Sequence, residues 1–503
     1  MPPPARPAAG SVNAAGMRAI EAATMADGCD EATLMEIAGT RLGHAIARYF
    51  PKPGTAVAWP GKGHNGGDAL IALRVLRDVY GWQIRIRHSF AENSLAPLTR
   101  RQLDFHQDTA EFDAADPTRR HPLVLLDGLL GIGADGSPLR GAVAEAAAEM
   151  NDLRDHIGAI TAAVDLPSGL DPDSGVFPEN VVHADVTFTL GAVKSGLLFP
   201  HAANAVGAIA LVAIPQLTAP PGPGPRLICP QHFHIAIAPR PFDFHKGMAG
   251  RVSILAGSEN YLGAATLCSA GALAGGAGLV TLHIPRAQHA AASAKCAPEV
   301  IVQPFDTLDD LMPIDADAWV IGCGLGAGWG DALVDFIAKT DVTPAVLDAD
   351  ALNTLARHHA TDRLRANHLI TPHPGEFRRL APDLAELPPL DAATAWTYRS
   401  PATLLLKGSR TVVATRGQQP SVNSTGHPGM ATAGMGDVLA GICGALLAAK
   451  IPPIEAAAFA AWLSGRAAER AIHLDRESAE TLRASHITTH LGGAFHDWHG
   501  MMR

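Results

Sequence analysis

Near the carboxyl end of the chain, Gly434-Met435-Gly436-Asp437 combine residue types that could handle a phosphoryl group. Glycines let a backbone fold tightly and bring its amides close to a ligand. The apolar run Val438 to Ala440 follows at once and reads as the first turn of a helix. Free amides at a helix N-terminus, with the helix dipole behind them, form an anion site suited to phosphate. Asp437 stands at that mouth, so its carboxylate could take the proton from a hydroxyl as the hydroxyl attacks phosphorus. Taken alone, the same four residues also read as a glycine turn followed by an Asp helix cap.

Other loops carry polar residues in a repeating arrangement. Gly61-Lys62-Gly63-His64-Asn65-Gly66-Gly67-Asp68 follows a predicted strand at Ala56–Trp59. Asp127-Gly128 and then Gly131-Ile132-Gly133-Ala134-Asp135-Gly136-Ser137 follow one at Leu123–Leu126, and Asp165-Leu166-Pro167-Ser168-Gly169 follows one at Ile160–Val164. Such positions, just beyond the carboxyl ends of strands, are where an open α/β sheet puts its ligands. A P-loop reading of the first loop fails, because it ends in Gly-Gly-Asp rather than Gly-Lys-Ser/Thr. In the second half, Gly322-Cys323-Gly324-Leu325-Gly326, Asp348-Ala349-Asp350, Thr371-Pro372-His373-Pro374-Gly375-Glu376 and Lys407-Gly408-Ser409-Arg410-Thr411 also follow predicted strands. His373, between two prolines, suits a rigid turn as well as a contact. Lys407 alone would be a solvated strand end; beside a glycine and a phosphate it becomes a charge partner.

Alternating strands and helices must position these loops. A helical pattern runs from Met17 to Phe50, followed by helices at Asp68–Tyr80 and Leu95–Gln107 and strands at Gln83–His88, Val186–Leu190 and Ile209–Ile214. The second half predicts strands at Val252–Ala256, Val300–Val302, Trp319–Ile321, Ala345–Leu347, Leu369–Ile370 and Thr403–Leu406, with Val412–Ala414 as an edge piece. The fold class is therefore α/β, with two doubly wound domains built on mostly parallel sheets. The Pro/Gly-rich stretch Thr218–Pro225 reads as a semi-rigid linker between residues 1–217 and 226–503. Residues 1–16 are expected to be disordered, and the tail from His486 carries no readable function.

Composition narrows the partners. At 503 residues the chain holds two or more domains, and 47% hydrophobic with 17% charged residues is a globular balance. A formal net charge of −10 without a Lys/Arg run argues against nucleic acid and anionic membrane surfaces. The six cysteines form no CxxC pair, so reduced thiols and a cytoplasmic setting are expected. The uncharged stretch Tyr261–Ile284 contains five glycines and fits a buried helix followed by a buried strand rather than a membrane span. His486 and His490, at helical spacing, lack the Glu of a zinc-protease motif.

The segments LMEIAG (34–39), GKGHNGGDA, the Asp127 loop, DLPSGLD and Lys194 of GAVKSGLL together resemble the NAD(P)H-hydrate epimerase family. That resemblance implies a Rossmann-like domain whose loops, His64 to Asp68 and Gly131 to Ser137 with Asp165, surround a hydrated nicotinamide nucleotide. It also implies a potassium ion on Asn65, Asp127 and Ser168. His64 stands where the family pattern has Asn. HKG, GCGLG, LDADAL, TPHPGEF, LKGSRT and HPGMATAGMGD, in that order, resemble the ribokinase-like NAD(P)H-hydrate dehydratase family. Carried over by motif, hydrated-nucleotide contacts fall to Ala264, Gly324, His373 and Asp437, and adenine-nucleotide contacts to Lys407, Gly408, Ser409, Arg410, Thr411 and Gly436.

Together the two resemblances imply a bifunctional repair enzyme. It would interconvert the R and S epimers of NADHX and NADPHX, the C6 hydrates of NADH and NADPH. It would also dehydrate the S epimer with ADP and magnesium, giving AMP and phosphate, and a homo-oligomer is expected. Asp165 and Asp437 are the residues expected to act in catalysis. Two rivals stay open: a ribokinase-like small-molecule kinase whose product persists, and a first half that only binds nucleotide.

Overall fold

The computed structural model describes residues 10–116, 118–217, 222, 224–233, 240–312, 314–340, 342–475 and 477–501. Residues 1–9, and most of the expected 218–225 linker, lie outside the described residues. The chain divides into two compact units, residues 1–232 and 233–501.

In the first unit, α1 (Ala14–Ala26) and α2 (Glu31–Tyr49) precede β1 (Thr55–Pro60), α3 (His64–Tyr80), β2 (Gln83–Ile86), α4 (Pro97–Leu103), β3 (Leu123–Gly128), α5 (Gly141–Ile157), β4 (Ile160–Val164), β5 (Val186–Leu190) and, after a short helix, β6 (Ala208–Val212). The sheet runs β2-β1-β3-β4-β5-β6 and is parallel throughout. β1, β3 and β5 are buried along their whole length, as a sheet covered on both faces requires. Alternation along β1 sends Ala56 and Ala58 into the core with Leu42, Ile46 and Leu70 of α2 and α3. Val57 and Trp59 go to the opposite core with Ala147 and Met150 of α5. The chain leaves β1 for β2 on one side and returns to β3 on the other. That reversal opens a crevice at the carboxyl ends of β1 and β3, where the Gly61 and Asp127 loops emerge.

The second unit repeats the logic. Its sheet runs, in spatial order, through Val300–Phe305, Leu279–Pro285, Arg251–Leu255, Ala318–Ile321, Ala345–Leu347, His368–Ile370 and Thr403–Leu406 in parallel. Thr411–Ala414 and Ser421–Asn423 then continue it antiparallel. The reversal lies between Arg251–Leu255 and Ala318–Ile321, and there Ser258 Oγ donates to the Gly324 carbonyl at 2.9 Å. The helix Met435–Ala448 is buried nearly all round from Val438 onward, so only its first turn is free to meet a ligand.

Three expectations are corrected. Residues 10–16, expected to be disordered, are partly tied down: Val12 N donates to Val193 O at 2.9 Å, Ser195 N donates to Val12 O at 2.9 Å, and α1 begins at Ala14. Val12 is a lone apolar residue among small ones, so its burial against the Lys194 segment leaves no periodic signal. Val412–Ala414 is no edge piece, being paired on one side with Leu404–Leu406 and on the other with Ser421–Val422. The helix predicted at Leu95–Gln107 is a shorter α4 starting at a proline, followed by a 3-10 turn, Asp104–His106. The Tyr261–Ile284 stretch forms the helix Leu262–Ala274 and the start of the strand Leu279–Pro285. Among the described residues, no helix is long and apolar enough to cross a membrane.

Candidate active sites

In the first unit, α3 begins at His64, four residues earlier than the sequence pattern implied, so Asn65, Gly66 and Gly67 form its first turn. Asp165 follows directly on β4 with φ 66°, a conformation a non-glycine residue rarely holds. Leu190 N donates to its Oδ1 at 2.9 Å, and the buried Lys194 pairs with the same oxygen. Lys194 Nζ also donates to Leu190 O at 2.9 Å. One side of α1, the first half of α2 and the start of α3 wall a cavity of about 340 Å³ beside this group, lined by Glu21, His64, Asn65, Asp68, Asp165 and Lys194 among others.

Beside the cavity, Ser168 N donates to Asp127 Oδ2 at 2.7 Å and Ser168 Oγ donates to Oδ1 at 2.6 Å. Leu130 joins the three strand-end loops: its N–H donates to Ser168 Oγ at 2.9 Å, and its carbonyl accepts from Asn65 Nδ2 at 2.7 Å. Burial pushes the Asp127 carboxyl up to about 6, although the donors on Ser168 and Leu129 work to lower it.

The expected loop residues divide in the structure. Gly131, Ile132 and Gly133 line the cavity, but Ala134 to Ser137 do not. Asp135 Oδ1 instead accepts from Ser137 N at 3.1 Å within its own turn. Gly66 and Gly67 are buried and do not line the cavity. His64 Nε2 meets Glu31 Oε1 at 3.2 Å on an exposed face. Glu21, on α1, enters the cavity without any motif to announce it. Burial raises its pKa, and Lys194 opposes the shift.

In the second unit, Gly434 is the N-cap of Met435–Ala448 and makes no side-chain cap, so Asp437 is the third residue of the first turn. A Cβ on Gly436 would stand 3.2 Å from Lys407 Nζ and 3.7 Å from Asp348 Oδ2, so glycine leaves the helix mouth open to a cation and a carboxylate. Lys407 Nζ donates to Asp348 Oδ1 at 2.9 Å and lies 4.0 Å from Glu376 Oε2. Burial works against the Lys407 charge, but Asp348 and Glu376 outweigh it and hold its pKa above the usual value. Burial, and then Asp348, push Asp437 up to about 6.

His373 caps the helix Pro374–Leu380 in a reciprocal box. Its Nδ1 accepts from Gly375 N at 3.0 Å, and its own N–H donates to Glu376 Oε2 at 2.8 Å. Ala264 and Gly324 are neighbours, since a Cβ on Gly324 would meet Ala264 Cβ at 2.9 Å. Gly408 and Ser409 are exposed, whereas the Arg410 side chain is buried, with its pKa lowered by burial to about 10. Asp348 and Glu376 sit inside quoted motifs, but only the structure shows that they share Lys407. Among the described residues, no group of three His, Cys, Asp or Glu side chains could hold a metal. His490 Nε2 pairs with Asp475 at 2.7 Å instead.

Two α/β units with mostly parallel sheets, each gathering charged loops at a strand-order reversal, define a two-site enzyme of the nucleotide-handling class. Residues 252–490 match the family described as NAD(P)H-hydrate dehydratase, and residues 31–196 match the family described as YjeF-related protein N-terminus. A bifunctional NAD(P)H-hydrate repair enzyme of Gloeobacter violaceus is 36% identical over 481 residues, covering 91% of this chain and 92% of the relative. One from Escherichia coli K12 is 34% identical, covering 81% of this chain and 79% of the relative. A solved ribokinase-like superfamily protein of Enterococcus faecalis is 28% identical with a TM-score of 0.48, covering 52% of this chain and 92% of that one. The chain belongs to the family of bifunctional NAD(P)H-hydrate repair enzymes.

Proposed function

We propose that the second unit dehydrates the S epimer of C6-hydrated NADH or NADPH at the expense of ADP, and that the first unit interconverts the two C6 epimers. One observation carries the dehydratase reading. The Asp437 carboxyl, raised to about 6, lies in the first turn of a helix whose mouth also faces Lys407. The helix amides and the Lys407 ammonium suit a transferring phosphate. A base with a pKa near 6 is ionised at neutral pH yet still basic enough to draw a proton. Asp437 takes the proton of the C6 hydroxyl as its oxygen attacks the terminal phosphorus of ADP, releasing AMP. Hydroxide is a poor leaving group; the resulting phosphate leaves C6 readily as a proton is lost from C5, restoring the reduced ring. Ala264, Gly324 and His373 would hold the hydrate, and the Lys407–Thr411 turn with Gly436 would hold ADP. Magnesium would come with the nucleotide phosphates, because Asp348 and Glu376 already share Lys407 and magnesium favours phosphate and water ligands over all-protein cages.

In the first unit, the loops at the α3 N-terminus and at Gly131–Gly133 would receive the hydrated nucleotide, with Asp165 contacting it. Potassium fits Asn65, Asp127 and Ser168. The donors are all oxygens, Leu130 ties them together, and among the described residues the buried Asp127 has no ion-pair partner. The positive charge of the ion would hold the Asp127 carboxylate ionised against its burial. Product analysis after incubation of the S hydrate with ADP tests the dehydratase reading: AMP, phosphate and NAD(P)H are expected. A persistent phosphate ester would mark a kinase instead.

A further inference from the structure

The cavity of the first unit holds a carboxyl that the contacts above leave idle. Asp68, one turn into α3, is 8% exposed and lines the cavity. Its Oδ1 has no hydrogen-bond partner among the described residues. A buried polar atom without a partner costs folding free energy, and a bound ligand is one reason to keep one. Burial, followed by the Asp165 and Glu21 carboxylates, holds the Asp68 pKa well above the carboxylate range, with Lys194 opposing them. Lys194 is committed to Asp165 and to the Leu190 carbonyl, so it does not neutralise Asp68. One cavity thus contains an ion-paired carboxylate and a second carboxyl whose ionisation is disfavoured, an environment that separates acid from base.

Resting on the epimerase reading, the substrate carbon C6 carries a hydroxyl and is bonded to the ring nitrogen N1. A carbinolamine of this kind can invert by losing its hydroxyl as water and regaining one on the other face. We infer that Asp68 is the catalytic acid and base of the epimerisation, acting directly on the C6 oxygen. The Asp68 carboxyl gives its proton to that oxygen. The C6–O bond breaks as the N1 lone pair forms the N1=C6 bond, and water departs. Water then adds to the planar C6 from the opposite face, electrons return to N1, and the proton released restores the Asp68 carboxyl through cavity water. The ring is cationic between the two steps. The lining suits it, with the carboxyl groups of Glu21, Glu31, Asp68 and Asp165 set against Lys194, and His64 the remaining titratable group.

The test uses the full chain, pure R hydrate of NADH and water enriched in oxygen-18, without ADP. The parent should take up one solvent oxygen per inversion, and its inversion rate should fall as rising pH removes the Asp68 proton. Asp68→Asn preserves shape and should invert roughly 10²–10⁴-fold more slowly. ADP-dependent dehydration of the S epimer, which uses the second unit, should be unchanged. Asp68→Glu should recover part of the rate and the pH limb. Inversion by Asp68→Asn at the parent rate, or inversion with retention of the original oxygen, would overturn the assignment. A parent that interconverts no epimers would overturn the epimerase reading itself.

Discussion

Replacing Asp437 with Asn separates a poised base from a helix cap, because the two roles predict stability changes of opposite sign. The Asp437 carboxyl moves from 3.8 to about 6 on folding. At about 1.4 kcal/mol per pKa unit, that shift weighs against the folded state by at most about 3 kcal/mol once the group is ionised. The sign follows from proton binding. Between pH 4 and 6 the unfolded chain has lost this proton while the folded chain keeps it, so stability falls through that window and levels off above it. Asn cannot ionise, so the variant should match the parent near pH 4 and exceed it at pH 7. At ~2–4 °C per kcal/mol, the second unit should melt several degrees higher at neutral pH. Turnover should move the other way, falling ~10²–10⁴-fold, equivalent to ~3–5 kcal/mol of barrier. ADP affinity should survive, since the helix amides and Lys407 are untouched. A capping Asp would behave differently, with a loss of ~0.5–2 kcal/mol and turnover kept. Calorimetric melting at pH 4 and 7, with turnover and ADP titration at pH 7, decides between them. A correctly folded Asp437→Asn protein with near-parent turnover would refute the reasoning.

Gly436→Val would place a branched side chain against Lys407 Nζ and Asp348, so ADP binding itself should weaken, measured by titration calorimetry. Asp165→Ala leaves Lys194 buried without its carboxylate, so epimer interconversion, followed by chromatography, should be lost while dehydration of pure S epimer continues. Potassium should raise the melting temperature of the first unit more than sodium at equal ionic strength; equal responses would leave only generic screening.

The sequence pattern located most strands because buried parallel strands are continuous apolar runs, as Leu123–Leu126, Ile160–Val164 and Val186–Leu190 illustrate. Glycine-rich loops marked both crevices for the same local reason. Helix starts were less legible. Glycines at 66 and 67 argued for a loop, yet in the structure they are buried in the first turn of α3, where a larger side chain would meet Gly61 or Met35. What no local pattern could reveal was convergence. Glu21, Asp68, Asp165 and Lys194 come from α1, α3 and the loops that follow β4 and β5, and only the folded sheet gives them one cavity. Asp348, Glu376 and Lys407 likewise follow three different strands before sharing one ion-pair network.

The central claim, that one chain performs both steps, is tested most directly by the extent of a single reaction. Purified protein is mixed with an equilibrated mixture of R and S hydrates and excess ADP, and absorbance of the reduced nicotinamide is followed to its end point, with a companion reaction on the Asp165→Ala protein. The parent should convert the whole mixture, while the variant should stop after a fast phase equal to its S fraction, with any further rise at the rate of uncatalysed inversion. A parent that also stops at the S fraction, or that yields no reduced nicotinamide, would contradict the account.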